Sequence, residues 1–284
     1  MRVEGLRVNF DGSRAPGAHP EGMGILLYPT SGHSHWRYNL RPSGGTIEVA
    51  DGHYDLITFN NDTEDVLFEN DGAYATLCAV TREASLTDGL SLTYGGAAPP
   101  RGRDADQPVM AQPDMMWRVL LPGLAVVRND TVTLAPEPVV ATYTITVDSV
   151  ENLESAAQMC MAVSGLSVAR VLADSVNVDW PITVPGSIAR LQSASLRGQM
   201  LTFGDCASAR SNTLFLYFWL RDGQKRLYQF DVSAQVASAP DPMNVDIRVA
   251  RLQLPVTQTP DSGEDAGMDV GVDNWETVDI ELYN

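Results

Sequence analysis

The chain has 284 residues, more than the roughly 100 to 200 of a typical single domain, so two cores are expected. Its 36 acidic and 19 basic residues give a formal charge of −17, the wrong sign for binding a phosphate backbone or an anionic membrane surface, and nucleic acid is not an expected partner. Lysine occurs once, at Lys225, which leaves little material for lysine-based isopeptide cross-links.

In chain order, the opening MRVEGLRVNF lacks the ~7 to 15 residue apolar core of a secretory signal. The segments LRVNF, MGILLYPT, GTIEVADG, YDLITFN and YATLCAV then alternate apolar and polar residues between turn signals. Residues 94–113, YGGAAPPRGRDADQPVMAQP, are dense in Gly, Pro and charge and read as a long excursion from the first domain rather than a core strand. A second proline cluster, LAPEPVV, precedes a clean restart of alternation at Thr142, which puts the domain junction near Pro136 to Pro138 and the domains at 1–136 and 137–284.

Beyond the junction, TYTITVDSV, SLRGQMLTFG, TLFLYFWLRDG, LYQFDVSAQV, VDIRVARLQL and VDIELYN continue the period of two. Brief helices are expected only in ENLESAAQ, where Asn152 could cap, and in SVARVL. The longest apolar run, LFLYFWL, is far short of the ~20 residues a membrane-spanning helix needs. Turns every ~8 to 12 residues between alternating strands define an all-β fold of two tandem β-sandwich domains with few short helices. No internal repeat is obvious, although two similar-sized β domains are compatible with an old duplication.

Few residues suggest chemistry. In the block NNDTED, Asn60, Asp62 and Glu64 have calcium-loop spacing, but Asp65 stands where the loop needs glycine, so the block reads as a turn. His33 and His35 share a face if extended, yet His19, His53 and the cysteines offer no further ligand spacing, and no metal is expected. Cys78, Cys160 and Cys206 sit in apolar contexts without CxxC spacing and read as small core residues. GxSxG, HExxH, GxGxxG and the P-loop are absent, and VSGLS lacks the second glycine of a nucleophile elbow, so neither a catalytic group nor a cofactor is expected. Trp36, Trp117, Trp180, Trp219 and Trp275 are scattered, more in the manner of core anchors than of a sugar-stacking platform.

The stretches MGILLYPTSG, LRPSGGTIEVADGHYDLITFNNDTEDVLFEN, VSGLSVARVL, LRGQMLTFG, TLFLYFWLRDGQKRLYQFDVSAQVASAPDP and GMDVGVDNWETVDIELYN together resemble the fimbrillin-like lipoproteins related to the fimbrial anchor and minor-fimbrium proteins of type V pili. The resemblance spans nearly the whole chain. It implies transthyretin-like, Greek-key topology for both domains, export, and a cell-surface place in the outer membrane or fimbrium through an N-terminal lipid. This chain starts without that family's signal or lipobox cysteine, which implies a trimmed, mature form. It further implies a non-enzymatic anchor, minor or tip subunit serving adhesion, with other fimbrial subunits as partners by strand addition and a host or bacterial surface molecule as ligand. The alternative is a stand-alone surface lipoprotein that binds glycans or another extracellular ligand. The expected assembly strand is the last one, where Val278, Ile280 and Leu282 alternate with Asp279, Glu281 and Tyr283, and Trp275 offers an anchor that favours folding onto its own domain.

Overall fold

The computed structural model describes residues 3–32, 34–88, 90, 98–127, 130–257 and 275–280. The strands are β1 (Val3–Phe10), β2 (Met23–Pro29), β3 (Trp36–Leu40), β4 (Gly45–Ala50), β5 (Gly52–Asn60), β6 (Val66–Glu69), β7 (Cys78–Thr81), β8 (Trp117–Val126), β9 (Thr131–Leu134), β10 (Glu137–Pro138) and β11 (Ala141–Val147). They continue with β12 (Val150–Glu151), β13 (Ala156–Ser167), β14 (Ala169–Val171), β15 (Pro181–Gly186), β16 (Ile188–Gln192), β17 (Ser195–Thr202), β18 (Thr213–Leu220), β19 (Lys225–Asp231), β20 (Asn244–Val249), β21 (Leu252–Gln253) and β22 (Trp275–Ile280). The protein is all-β.

Two compact units emerge. One gathers residues 1–81, 113–140 and 169–178; the other gathers 82–112, 141–168 and 179–284. In the first, sheet β4-β1-β9 and sheet β10-β8-β5-β2-β3 share a core. Alternation decides which side chains enter it: Leu6 and Val8 from β1, Ile25 and Leu27 from β2, Ile47 and Val49 from β4, and Leu56 from β5 are all buried. The opposite face of the five-stranded sheet carries Phe59, stacked on Phe68 of the small sheet β14-β7-β6 at 4.2 Å.

The second unit repeats this plan with sheets β16-β17-β11-β20 and β15-β13-β18-β19-β22. Its core takes Tyr143, Ile145 and Val147 from TYTITV and Leu214, Leu216 and Phe218 from LFLYFWL. The other face of LFLYFWL sends Phe215 and Tyr217 into a cluster with Cys160 and Leu86, so both faces of β18 are buried. That explains why its sequence is apolar throughout instead of alternating. Residues 82–112 belong to this unit and supply Leu86 and Val109 to that cluster.

The helical expectations need correction. Residues 151–158 hold only a 3-10 turn, Leu153–Ser155, before β13 begins. Asn152 adopts a left-handed φ of +57 and makes no cap bond; its side-chain amide donates to Leu254 O at 2.7 Å. SVARVL is the end of β13 followed by β14. An α-helix, α1 (Ser233–Ala237), takes the end of LYQFDVSAQV, which alternation assigned to strand; Asp231 Oδ1 accepts from both the backbone N–H and the hydroxyl of Ser233, turning the chain there. Among the described residues, no helix is long and apolar enough to cross a membrane.

Candidate assembly strand and sheet edges

Trp275–Ile280 forms β22, which lies parallel to β19 from the pair Lys225↔Trp275 to the pair Phe230↔Ile280. The alternation of this segment is expressed across the two faces of the sheet. Val278 and Ile280 pack on the core of the second unit, whereas Trp275 joins the cluster on the opposite face. Trp275 meets Tyr217 and Trp219 edge-on, with ring centroids 5.4 and 5.0 Å apart. Arg226 Nη2 and the Glu276 carboxylate close an ion pair at 2.9 Å across the two strands. Leu282, the remaining member of the expected set, lies outside the described residues.

The opposite edge of this sheet is also occupied by the same chain. Thr183 of β15 donates to Pro108 O at 2.9 Å and accepts from Met110 N at 3.0 Å, forming a parallel bridge through Val109. Residues 109–111 are in turn paired with Arg82 and Ala84. A free edge strand exposes a row of unpaired backbone donors and acceptors that invites another strand. At the edge of the four-stranded sheet β16-β17-β11-β20, Gln235 of α1 covers part of β20: its amide accepts from Arg248 N at 2.8 Å and donates to Arg248 O at 3.0 Å, as a neighbouring strand would.

The other singled-out residues fall as follows. Asp62 is held in the turn by both oxygens, Oδ1 accepting from Asn60 Nδ2 at 2.7 Å and Oδ2 from Glu21 N at 2.9 Å. The turn's other support is Asp114, whose Oδ2 accepts from Glu64 N and Asp65 N at 2.7 and 2.6 Å. Sequence reading missed Asp114 because it is 49 positions from Asp65. Among the described residues, no group of three or more His, Cys, Asp or Glu side chains could hold a metal ion. His33 lies outside the described residues, and His35 rests against the Tyr28 ring at 5.1 Å. All three cysteines are free thiols, and burial pushes Cys160 up to about 12. In VSGLS the Ser164 hydroxyl is wholly buried and donates to Asp104 Oδ2 at 2.8 Å, so it is tied into the interior. Gly165 beside it has φ +74, and a Cβ there would sit 2.4 Å from Ser211 O, which only glycine avoids.

Two facing sheets in each unit define a tandem β-sandwich protein. The chain belongs to the family described as Domain of unknown function (DUF5119), whose model matches residues 1–185. A curated relative from Bacteroides ovatus, provisionally named fimbrium anchoring subunit Fim4B, is 24% identical over 170 residues, covering 58% of this chain and 46% of the relative. The chain thus spans about half the length of that relative. Among solved structures, a protein from Bacteroides ovatus provisionally described as an adhesin matches 91% of this chain and 95% of its own with a TM-score of 0.68 at 18% identity. The fimbrial anchor protein Mfa2 from Porphyromonas gingivalis matches 87% of this chain and 90% of its own, with a TM-score of 0.51 at 13% identity. These likenesses establish a shared fold.

Proposed function

We propose that this chain is a non-enzymatic fimbrial subunit of the anchor or terminal kind, held at the cell surface and serving adhesion. The observation that carries the reading is the pairing of β22 with β19 in the same chain, with Val278 and Ile280 packed on the core. A subunit that donates its last strand to a neighbour leaves its own sheet edge to be filled by another; one that folds the strand back ends growth there. The names of the Fim4B and Mfa2 relatives point in the same direction. Transthyretin-like topology, an N-terminal lipid in the outer membrane, and strand addition to other fimbrial subunits complete the proposal. Its partners are those subunits and a host or bacterial surface ligand.

The test removes residues 270–284. The side chains lost with β22 are partly buried, and at ~1 to 2 kcal/mol each for Trp275, Val278 and Ile280 the isolated protein should lose on the order of 3 kcal/mol and melt several degrees lower. A truncated protein that melts with its parent and captures a synthetic peptide of the missing strand would instead assign a donor-strand role. The second reading, a stand-alone glycan-binding module, is favoured by Trp180, which is 60% exposed. Retention on a glycan array that is lost on Trp180→Ala, in a protein that does not associate with fimbriae, would select it.

A further inference from the structure

Arg118 of β8 is 3% exposed, a burial that a guanidinium normally reaches only when its charge is paired. Its Nη2 donates to the hydroxyl of Ser175, a residue held at φ +64 in the bend after β14. Its Nε and Nη1 are buried and have no acceptor among the described residues. Those two nitrogens carry three of the five N–H donors of the group.

The charges around it leave this deficit in place. Arg170 on β14 is a second cation in its field, and Glu137, Tyr74 and Asp174 are the groups that favour its charge. Neither carboxylate bonds to it. Glu137 is half-exposed and is paired with Arg14 at 3.7 Å, while Asp174 is exposed and accepts from Val176 N at 3.1 Å through Oδ1. An ion with unmet donors away from water costs several kcal/mol unless a counter-charge joins it.

We propose that a small inorganic anion, of the size and charge of a halide, binds beside the Arg118 guanidinium within the field of Arg170. Because both donor nitrogens are fully buried, a carboxylate carried by another macromolecule does not reach them, and a compact ion enters only by displacing neighbouring side chains. One negative charge suffices, because Glu137 and Asp174 already offset part of the two cations. The site belongs wholly to the first unit and does not depend on the assembly role.

The experiment compares melting of the full chain in sodium bromide, sodium chloride and sodium gluconate at matched ionic strength, and records anomalous diffraction from crystals grown in bromide. An ion that binds only the folded state raises the melting temperature with its concentration, here by about 2 to 4 °C over gluconate. A bromide peak is expected beside Nη1 or Nε of Arg118, and Arg118→Met should abolish the difference between halide and gluconate. Equal melting in all three salts with no bromide peak at Arg118 would overturn the proposal and assign the donors to water. If Arg118→Met fails to fold, the anomalous peak and the salt dependence of the parent decide alone.

Discussion

Asp62 illustrates what a short sequence window can carry. The Asx-rich block NNDTED announces a turn because Asn and Asp side chains bond nearby backbone groups, and Asn60 Nδ2 does donate to Asp62 Oδ1 at 2.7 Å. Asp114 accepts the two amide bonds that fix the far side of the turn, and nothing local to Asp114 signals this. Replacing Asp114 by Ala should therefore cost about 1 to 3 kcal/mol in urea unfolding, since it strips the acceptor from two backbone N–H groups. Converting Asp62, Glu64 and Asp65 to their amides should reveal no calcium binding lost by calorimetry. A second residue-scale consequence concerns alkaline pH. Burial raises the Cys160 thiol to about 12, and burial together with the Asp71 carboxylate raises the Tyr28 phenol to about 12. A group whose pKa is raised on folding holds its contribution below its unfolded value and loses it as pH climbs toward the folded one. Stability should thus fall progressively between about pH 9 and pH 12, seen as a declining urea midpoint, and Cys160 should resist alkylation at pH 8 in the native protein.

At the scale of elements, strands were legible wherever one face meets solvent. TYTITV shows its period of two because Tyr143, Ile145 and Val147 go inward while the threonines between them do not. TLFLYFWL is legible by its length and aromatic content, although burial on both faces erases the alternation. The helix at Ser233 was not legible, because VSAQV carries the same spacing as a strand and only the Asp231 contacts to Ser233 redirect the backbone. ENLESAAQ failed in the opposite sense: its helix-favouring composition yields to the pairing of Gln158 and Met159 with β18. The capping of β20 by a side chain was equally invisible. Gln235→Ala should lower stability by about 1 to 2 kcal/mol and, by baring Arg248 N and O, raise the tendency to self-associate, measured by light scattering against the parent.

Across the whole molecule, the order of strands reveals a repeat that the residues do not. Taken in chain order, β1, β2, β3, β4, β5, β8 and β9 occupy the same sheet positions as β11, β13, β15, β17, β18, β19 and β20, and in each unit the first strand lies beside a parallel partner, β9 or β20. The last strands depart from this equivalence: β10 runs antiparallel to β8, and β22 runs parallel to β19. Side chains carry little of the common plan, since a sandwich fixes which positions face inward and leaves the residue free within apolar types. What distinguishes the second unit is the segment 82–112, which composition marks only as rich in Gly and Pro. It is tied down by polar groups: Asp104 accepts from Ser164 Oγ at 2.8 Å, Gln107 Oε1 accepts from Gly165 N at 3.0 Å, and Pro100 O accepts from Tyr217 Oη at 3.0 Å. Asp104 is 5% exposed, so its loss leaves a buried hydroxyl and amide poorly matched. Asp104→Ala should cost about 1 to 3 kcal/mol, and the effect should stay local. Hydrogen exchange is expected to quicken at Gly165 and along residues 98–111 while the amides of β2 and β5 in the first unit keep their parental protection. Equal loosening of β2 and β5 would mean that the two units unfold as one cooperative block, and that the segment stabilises the whole chain rather than the second sandwich alone.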